Sequence, residues 1–257
     1  MTTALHRPSR IPAPSDPWPA SSVLGALSPG ARERFITLGR LVHFHGGERL
    51  LREGELGTEV YLLLKGWFKV LAVMDDAREA LLAVRAGGDI VGELACFDAQ
   101  PRSATVLAVG PGAARLISRQ EFLGFLGAED EVTQAVMRAV GGKLRWATRR
   151  RQDFGGSGVQ TRVARVLAEL ARSYGRQDGS SIAISVSLSQ PELATLVGSS
   201  EPSVHRVLRS LRQRRIIETG YRRILIRDVP GLGRIAGADL TALISTSPPA
   251  PATLPPR

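Results

Sequence analysis

The sequence predicts an α+β protein: an N-terminal antiparallel β-roll, one long helix, and a C-terminal helix-turn-helix with a hairpin wing. Three observations carry this expectation. Eight short apolar runs punctuated by glycine lie between Leu41 and Arg119, an amphipathic helical stretch follows from Glu129 to Phe154, and beyond a glycine cluster two short helices precede a basic hairpin.

Composition bounds the function. A chain of 257 residues favours two domains, and 43% hydrophobic residues is usual for a soluble globular protein. The single Cys96 leaves no internal disulfide and no metal-binding cysteine spacing, which points to a reducing compartment, the cytoplasm. No run approaches the roughly eighteen apolar residues of a membrane helix, and the N-terminus lacks a signal-peptide core, so no membrane partner is expected. The net charge of +10 is unevenly placed. Lys143 to Asp228 holds 17 basic against 7 acidic residues, whereas the remainder balances at 17 of each. That asymmetry suits a nucleic-acid-binding half joined to a neutral half, with a basic solvated surface or an acidic protein partner as alternatives.

In chain order, residues 1–22 and the segment from Thr246 onward are proline-rich and expected to be disordered or extended, with the C-terminal tail counted from residue 231. Leu24 to Leu41 carries one helical pattern, beginning after Ser28, Pro29 and Gly30. The strands follow: His43 to His45, Arg49 to Leu51, Val60 to Leu64, Trp67 to Val73, Ala80 to Val84, Ile90 to Val91, Thr105 to Val109 and Ala114 to Ile117. This spacing predicts a compact antiparallel roll over 23–128. His43, His45 and Glu48 are reminiscent of a cupin metal site, which would make the chain a metalloenzyme. The glutamate spacing is wrong for that site and no second histidine motif exists, so solvent-facing histidines and no metal are expected.

Within the roll, Val91 to Val106 concentrates the chemistry. Gly92 and Glu93 are followed by a connector and then Pro101, Arg102 and Ser103. A carboxylate accepts from a ribose hydroxyl, and a guanidinium grips a phosphate through two parallel bonds. Backbone N–H groups beside Gly92, Ala95, Ser103 and Ala104 add an anion-binding surface. The residues alone equally allow a plain salt bridge between Glu93 and Arg102. The segment resembles the phosphate-binding cassette of cyclic-nucleotide-binding domains, matched by Gly92, Glu93, Leu94, Ala95 and by Arg102, Ser103, Ala104, Thr105. The resemblance assigns Glu93 to the ribose 2′-hydroxyl, and Arg102 and Ser103 to the cyclic phosphate. Val60 to Val70 is similar to the strand and hairpin upstream of that cassette.

A short helix at Phe122 to Leu126 leads to the long helix, 129–154. Met137, Leu144 and Arg151 share one heptad position and Val140, Ala147 and Phe154 the other, a seam that meets either another helix or its own roll. Gly141 and Gly142 each cost about 1 kcal/mol in a helix interior. Gly155, Gly156, Ser157 and Gly158 then form a hinge and domain boundary. Val159 to Tyr174 is helical, Gln177 to Ser181 a loop and Ile182 to Leu188 a strand. Ser189 and Glu192 form a capping box, Gly198 stops that helix, and Ser199 and Ser200 cap a second with Pro202 in its first turn. Ile216 to Glu218, Gly220 and Arg223 to Arg227 read as the wing, closing a DNA-binding domain over 159–230. Candidate DNA contacts are Gln190, Ser200, Glu201, Ser203, His205, Arg206, Arg209 and Arg222, with Glu201 and Arg206 placed for base edges and Arg209, Arg212, Arg222 and Arg223 for phosphates.

Cassette, long helix and winged helix-turn-helix together resemble the CRP/FNR (catabolite activator) family of transcription regulators over about residues 24–230. The resemblance implies a homodimer through the long helix, a cyclic nucleotide effector (cAMP first, cGMP second), an inverted-repeat operator in double-stranded DNA, and RNA polymerase as a partner. The same fold with a different effector, or with none, is the alternative. Two departures are visible. The family's two purine-contacting hydroxyl positions fall on Ala147 and Thr148, leaving Thr148 alone. Glu201 and Pro202 replace the family's usual Arg-Glu pair ahead of Arg206, so the DNA sequence read should differ from the usual one.

Overall fold

Period-two alternation closes the N-terminal half into a roll. The protein is described by a computed structural model at residues 18–75, 77–186, 188–220 and 223–243. Among these residues the roll contains strands β1 (Arg40–Phe44), β2 (Arg49–Leu51), β3 (Val60–Lys65), β4 (Trp67–Val73), β5 (Glu79–Ala86), β6 (Ile90–Val91), β7 (Thr105–Ala108) and β8 (Gly112–Ile117). They form two antiparallel sheets, ordered β1-β8-β3-β6 and β2-β7-β4-β5. Leu63 and Phe68 point into the interior with Leu51, Val106 and Ala114. Val60 and Leu62, on the opposite face of β3, pack outward on Phe35, Phe122, Val132 and Val136 of the flanking helices.

Those helices are α1 (Pro29–Thr37), α2 (Glu93–Asp98), α3 (Arg119–Ala128) and α4 (Asp130–Gly156). The single helical pattern expected over Leu24 to Leu41 is divided. A 3₁₀ turn at Leu24–Ala26 gives way to extended Leu27, and α1 ends before Gly39, whose φ of +64° turns the chain into β1. The proline-rich tail expected to reach residue 22 ends earlier: Trp18 Nε1 donates to Leu64 O at 3.0 Å and Ser22 is buried. Residues 1–17, and 244–257 at the other end, lie outside the described residues.

Helix α4 runs unbroken for 27 residues through Gly141, Gly142, Gly155 and Gly156. Burial of Val132, Ala135 and Val136 offsets the intrinsic cost of its glycines. The hinge expected over 155–158 therefore narrows to Ser157 and Gly158, which is bridged by an ion pair between Arg165 and Asp153.

The C-terminal half contains α5 (Val159–Tyr174), β9 (Arg176–Asp178), β10 (Ser181–Ile184), α6 (Gln190–Val197), α7 (Glu201–Gln213), β11 (Ile217–Gly220), β12 (Arg223–Ile226) and α8 (Val229–Ala236). Its sheet is ordered β11-β12-β10-β9, so part of the expected loop at 177–181 is a strand and the expected strand ends at Ile184 rather than Leu188. Residue 231, the expected start of a tail, lies inside helix α8. Leu232, Ala236 and Leu240 are buried in the core of this half, Asp228 caps Gly231 N at 2.7 Å, and Arg165 Nε donates to Ala236 O at 2.9 Å. Pro230, Gly231, Gly233 and Gly237 disguise the helix in the sequence, because breaker residues lower its propensity while tertiary burial supplies the compensation.

The two halves share one core. Leu71, Leu81 and Val84 of the roll pack with Val163, Leu167 and Leu196. Helix α6 lies along β5, where Thr195 Oγ1 accepts from Leu81 N at 3.0 Å, and Arg150 donates to Leu82 O at 3.1 Å and Thr195 O at 3.3 Å.

Candidate ligand pocket and nucleic-acid interface

The pocket is built by a glycine that tolerates what no other residue would. Gly92 has φ +87° and precedes α2, and a Cβ there would meet Arg102 Nη1 at 2.8 Å and Glu59 O at 2.9 Å. This approach lets Arg102, 6% exposed, donate to Gly92 O and Glu59 O, both at 2.9 Å, and to Glu59 Oε2 at 3.2 Å. Glu93, 3% exposed, starts α2 in the connector that sequence periodicity left without structure. Ala95 is buried, whereas Leu94 and Ser103 are exposed and Ala104 is half-buried beside Arg102.

No bridge joins Glu93 to Arg102. Glu93 Oε1 instead accepts from Lys143 Nζ at 2.9 Å, and Lys143 also donates to Ile90 O at 2.8 Å. Burial pushes the Lys143 ammonium below the usual lysine range, partly offset by the Glu93 charge. Lys143 thus ties α4 to the cassette. Thr148 is not brought there within one chain: it is exposed, and its hydroxyl donates to Leu144 O at 3.0 Å. The α4 face on the roll carries Lys143, Trp146 and Arg150, with Arg150 stacked over Trp146 at 4.5 Å. Met137 and Leu144 are 69% and 68% exposed, so this seam does not pack on its own roll. Phe154 is different, because it lies against Gly198, where a Cβ would meet its ring at 2.1 Å.

His43 and His45 lie on or beside β1. Glu48 accepts from His45 N at 3.0 Å, and no group of three or more metal-ligating side chains occurs among the described residues.

In the C-terminal half the expected capping box forms, with Ser189 and Glu192 bonded reciprocally, and Gly198 at φ +65° closes α6. Ser200 occupies the N-cap position of α7, but its hydroxyl bonds Ser203 Oγ at 2.9 Å rather than a backbone N–H. Val204, Leu208 and Leu211 face the core, which leaves Glu201, His205, Arg206, Arg209 and Arg212 on the exposed face, with Gln190 also exposed and Ser203 half-buried. Two of the basic residues expected at phosphates have protein partners: Arg212 Nη1 bonds Thr219 Oγ1 at 2.9 Å, and Arg223 pairs with Asp178. Among the described residues neither Arg206 nor Arg209 is engaged in a hydrogen bond or ion pair. Arg222 lies outside the described residues.

Residues 41–129 match the cyclic nucleotide-binding domain, and 161–235 match the Crp-like helix-turn-helix domain. The chain is 30% identical over 195 residues to a CRP-like cAMP-activated global transcriptional regulator from Mycobacterium tuberculosis, covering 76% of this chain and 87% of that protein. The chain belongs to the CRP/FNR family. It is a DNA-binding transcription regulator rather than an enzyme. Among solved structures, a CRP-family transcriptional regulator from Thermus thermophilus is 25% identical with a TM-score of 0.62, over 77% of this chain and 98% of that one. The c-di-GMP-responsive global regulator of Xanthomonas campestris shares the fold at 20% identity and a TM-score of 0.62, over 77% and 99% of the two chains.

For a CRP/FNR regulator, the cassette residues were legible in one short segment, whereas Lys143 and Glu59 were not. Lys143 is fifty residues from its carboxylate and sits in a basic, outwardly solvated stretch of sequence. Its position four residues along from Ala139 on the roll-facing side of α4 was the one signal that it turns inward.

Proposed function

We propose that the chain is a homodimeric transcription regulator whose roll binds a cyclic nucleotide, cAMP first, and whose C-terminal half reads an inverted-repeat operator. The observation that carries the reading is the burial of two charged side chains, Glu93 and Arg102, in one short segment at the Gly92 cradle, each held by a different partner. Charged groups are almost never buried without a use or a partner. In this reading Glu93 takes a ribose hydroxyl, Arg102 and Ser103 the phosphate, and the backbone at Gly92, Leu94, Ala95 and Ala104 lines the anion. The cAMP named for the mycobacterial relative supports the choice of nucleotide. The exposed Met137 and Leu144 support pairing through α4, with Thr148 then reaching a nucleotide held by the partner subunit. The free Arg206 and Arg209 on the exposed face of α7 support entry of that helix into a major groove. The protein acts in the cytoplasm, and RNA polymerase is the partner of the DNA-bound dimer.

Calorimetry against cyclic mononucleotides and cyclic dinucleotides tests the effector. Tightest binding of cAMP is expected, and Arg102→Leu should weaken it by about 1.5–3 kcal/mol through loss of a charge-assisted contact. Unchanged affinity in Arg102→Leu, or preference for a cyclic dinucleotide, overturns the assignment.

A further inference from the structure

The junction between roll and DNA-binding half forms a partly open cleft of about 200 Å³ whose polar lining includes Arg85, Asp89, Lys143 and Tyr174. With Glu93 these groups bring two cations, two carboxylates and one phenol to a single cleft. Lys143 holds Glu93 at one end, 2.9 Å away. Arg85 Nη1 donates to Val84 O at 2.7 Å, and its guanidinium lies beside Tyr174, within electrostatic reach of Asp89 and Glu93. At the other end the Tyr174 hydroxyl faces two acceptors, Val84 O at 2.9 Å and Asp89 Oδ2 at 3.0 Å. Tyr174 is the last residue of α5, and its ring stands edge-on to Trp67 of β4 at 5.2 Å. It therefore belongs to the DNA-binding half while its own partners, Val84, Asp89 and Trp67, belong to the roll.

We propose that Glu93, Lys143, Arg85, Asp89 and Tyr174 form the coupling element by which an occupied pocket releases the DNA-binding half, with Tyr174 as the positioning residue. The proposal rests on the reading of Glu93 as a ligand contact. Lys143 is paired with Glu93, while Arg85 stands within electrostatic reach of both Glu93 and Asp89. A ribose hydroxyl that engages Glu93 competes with Lys143, and in this partly buried site the positive charge shifts toward Asp89. Asp89 is the acceptor that holds Tyr174. The Tyr174 hydroxyl has one proton for two acceptors, so a cation drawn onto Asp89 turns that proton to Val84 O and breaks the bond to Asp89. Its loosening frees the C-terminal end of α5, and α6 with it, to take a second arrangement.

The test uses full-length protein, with cAMP as probe and an operator duplex selected from random DNA. Tyr174→Phe keeps the ring against Trp67 and removes only the hydroxyl. Wild-type protein should bind the duplex about 5- to 150-fold tighter with cAMP than without, the usual range of coupling between sites. In Tyr174→Phe and in Asp89→Asn the ratio should fall to within about twofold of one while cAMP affinity, read by calorimetry, stays measurable. A role confined to stability would lower the melting temperature and leave that ratio alone, and an unchanged ratio in both variants overturns the proposal. A second arm needs no nucleotide. Glu93→Gln should speed exchange of the Leu81 amide, which bonds Thr195 across the junction, about fivefold or more; unchanged exchange overturns the network. Absence of cAMP binding by the wild type strikes the pocket reading instead, and the exchange arm still decides the network.

Discussion

Glu192 serves Lys69 and its own helix at once. Its Oε1 accepts from Lys69 Nζ on β4 at 2.6 Å, while its Oε2 accepts from Ser189 N at 2.8 Å to complete the capping box of α6. The residue that starts the first helix of the DNA-binding motif is thus also the residue that fastens it to the roll.

Acid should undo that fastening. Burial pushes the Glu192 carboxyl up, but Lys69 and the Ser189 contacts together hold it below its ordinary 4.5. A carboxyl depressed in the folded state contributes stability that is present above 4.5 and lost as pH falls through the lower folded value. Exchange of the Leu81 amide should accelerate as pH drops below 4.5, after correction for intrinsic rates, and Glu192→Gln should abolish that pH dependence. The variant should also lose about 1.5 kcal/mol at neutral pH by urea unfolding. A junction equally firm at pH 3.5 and pH 6 would count against the role given to this pair.

The buried pair at the pocket gives a prediction on stability. Lys143→Met leaves Glu93 charged without a partner and should cost about 3 kcal/mol, the low end for a broken buried pair because the lysine side chain is 26% exposed. The double variant Lys143→Met with Glu93→Gln should recover most of that loss. Denaturant titrations of the four proteins form the cycle, and simple additivity would mean that the two side chains do not interact.

Dimerisation is read from the exposed seam. Leu144→Glu places like charges opposite each other in a helix pair and should give monomers by sedimentation at micromolar concentration, with helix content unchanged, because the residue is 68% exposed in the single chain. A dimer that persists would move the interface to another surface.

On DNA, Arg206 and Arg209 should separate into two kinds of contact. Arg206→Ala should lose about 1–3 kcal/mol on the selected operator and little on random duplex, flattening preference at one symmetric pair of positions. Arg209→Ala should weaken both duplexes alike and reduce the salt dependence by about one unit of slope. Titrations at several salt concentrations distinguish the two, and equal losses on both duplexes for Arg206→Ala would remove it from base recognition.

The local order of the chain determined most of what is legible without coordinates. Period-two runs located all eight strands of the roll to within a few residues, and Ser189, Glu192 and Gly198 marked both ends of α6, because each of these signals acts over one turn or one strand. The cassette was readable for the same reason, since Gly92 to Thr105 is a single short segment. Contacts made across the fold were not. Gly155 and Gly156 read as a break and residues from 231 as a tail, yet α4 continues through the first and α8 forms at the second, where buried side chains outweigh propensity. The partner of Glu93 is Lys143 rather than Arg102, and Arg102 is held by Glu59 and a backbone carbonyl. Which charge meets which is a question of distance in a water-poor interior. Sequence gives the charges their identity, and only the packing of α4, α5 and α6 on the roll brings Lys143, Tyr174 and Glu192 to their partners.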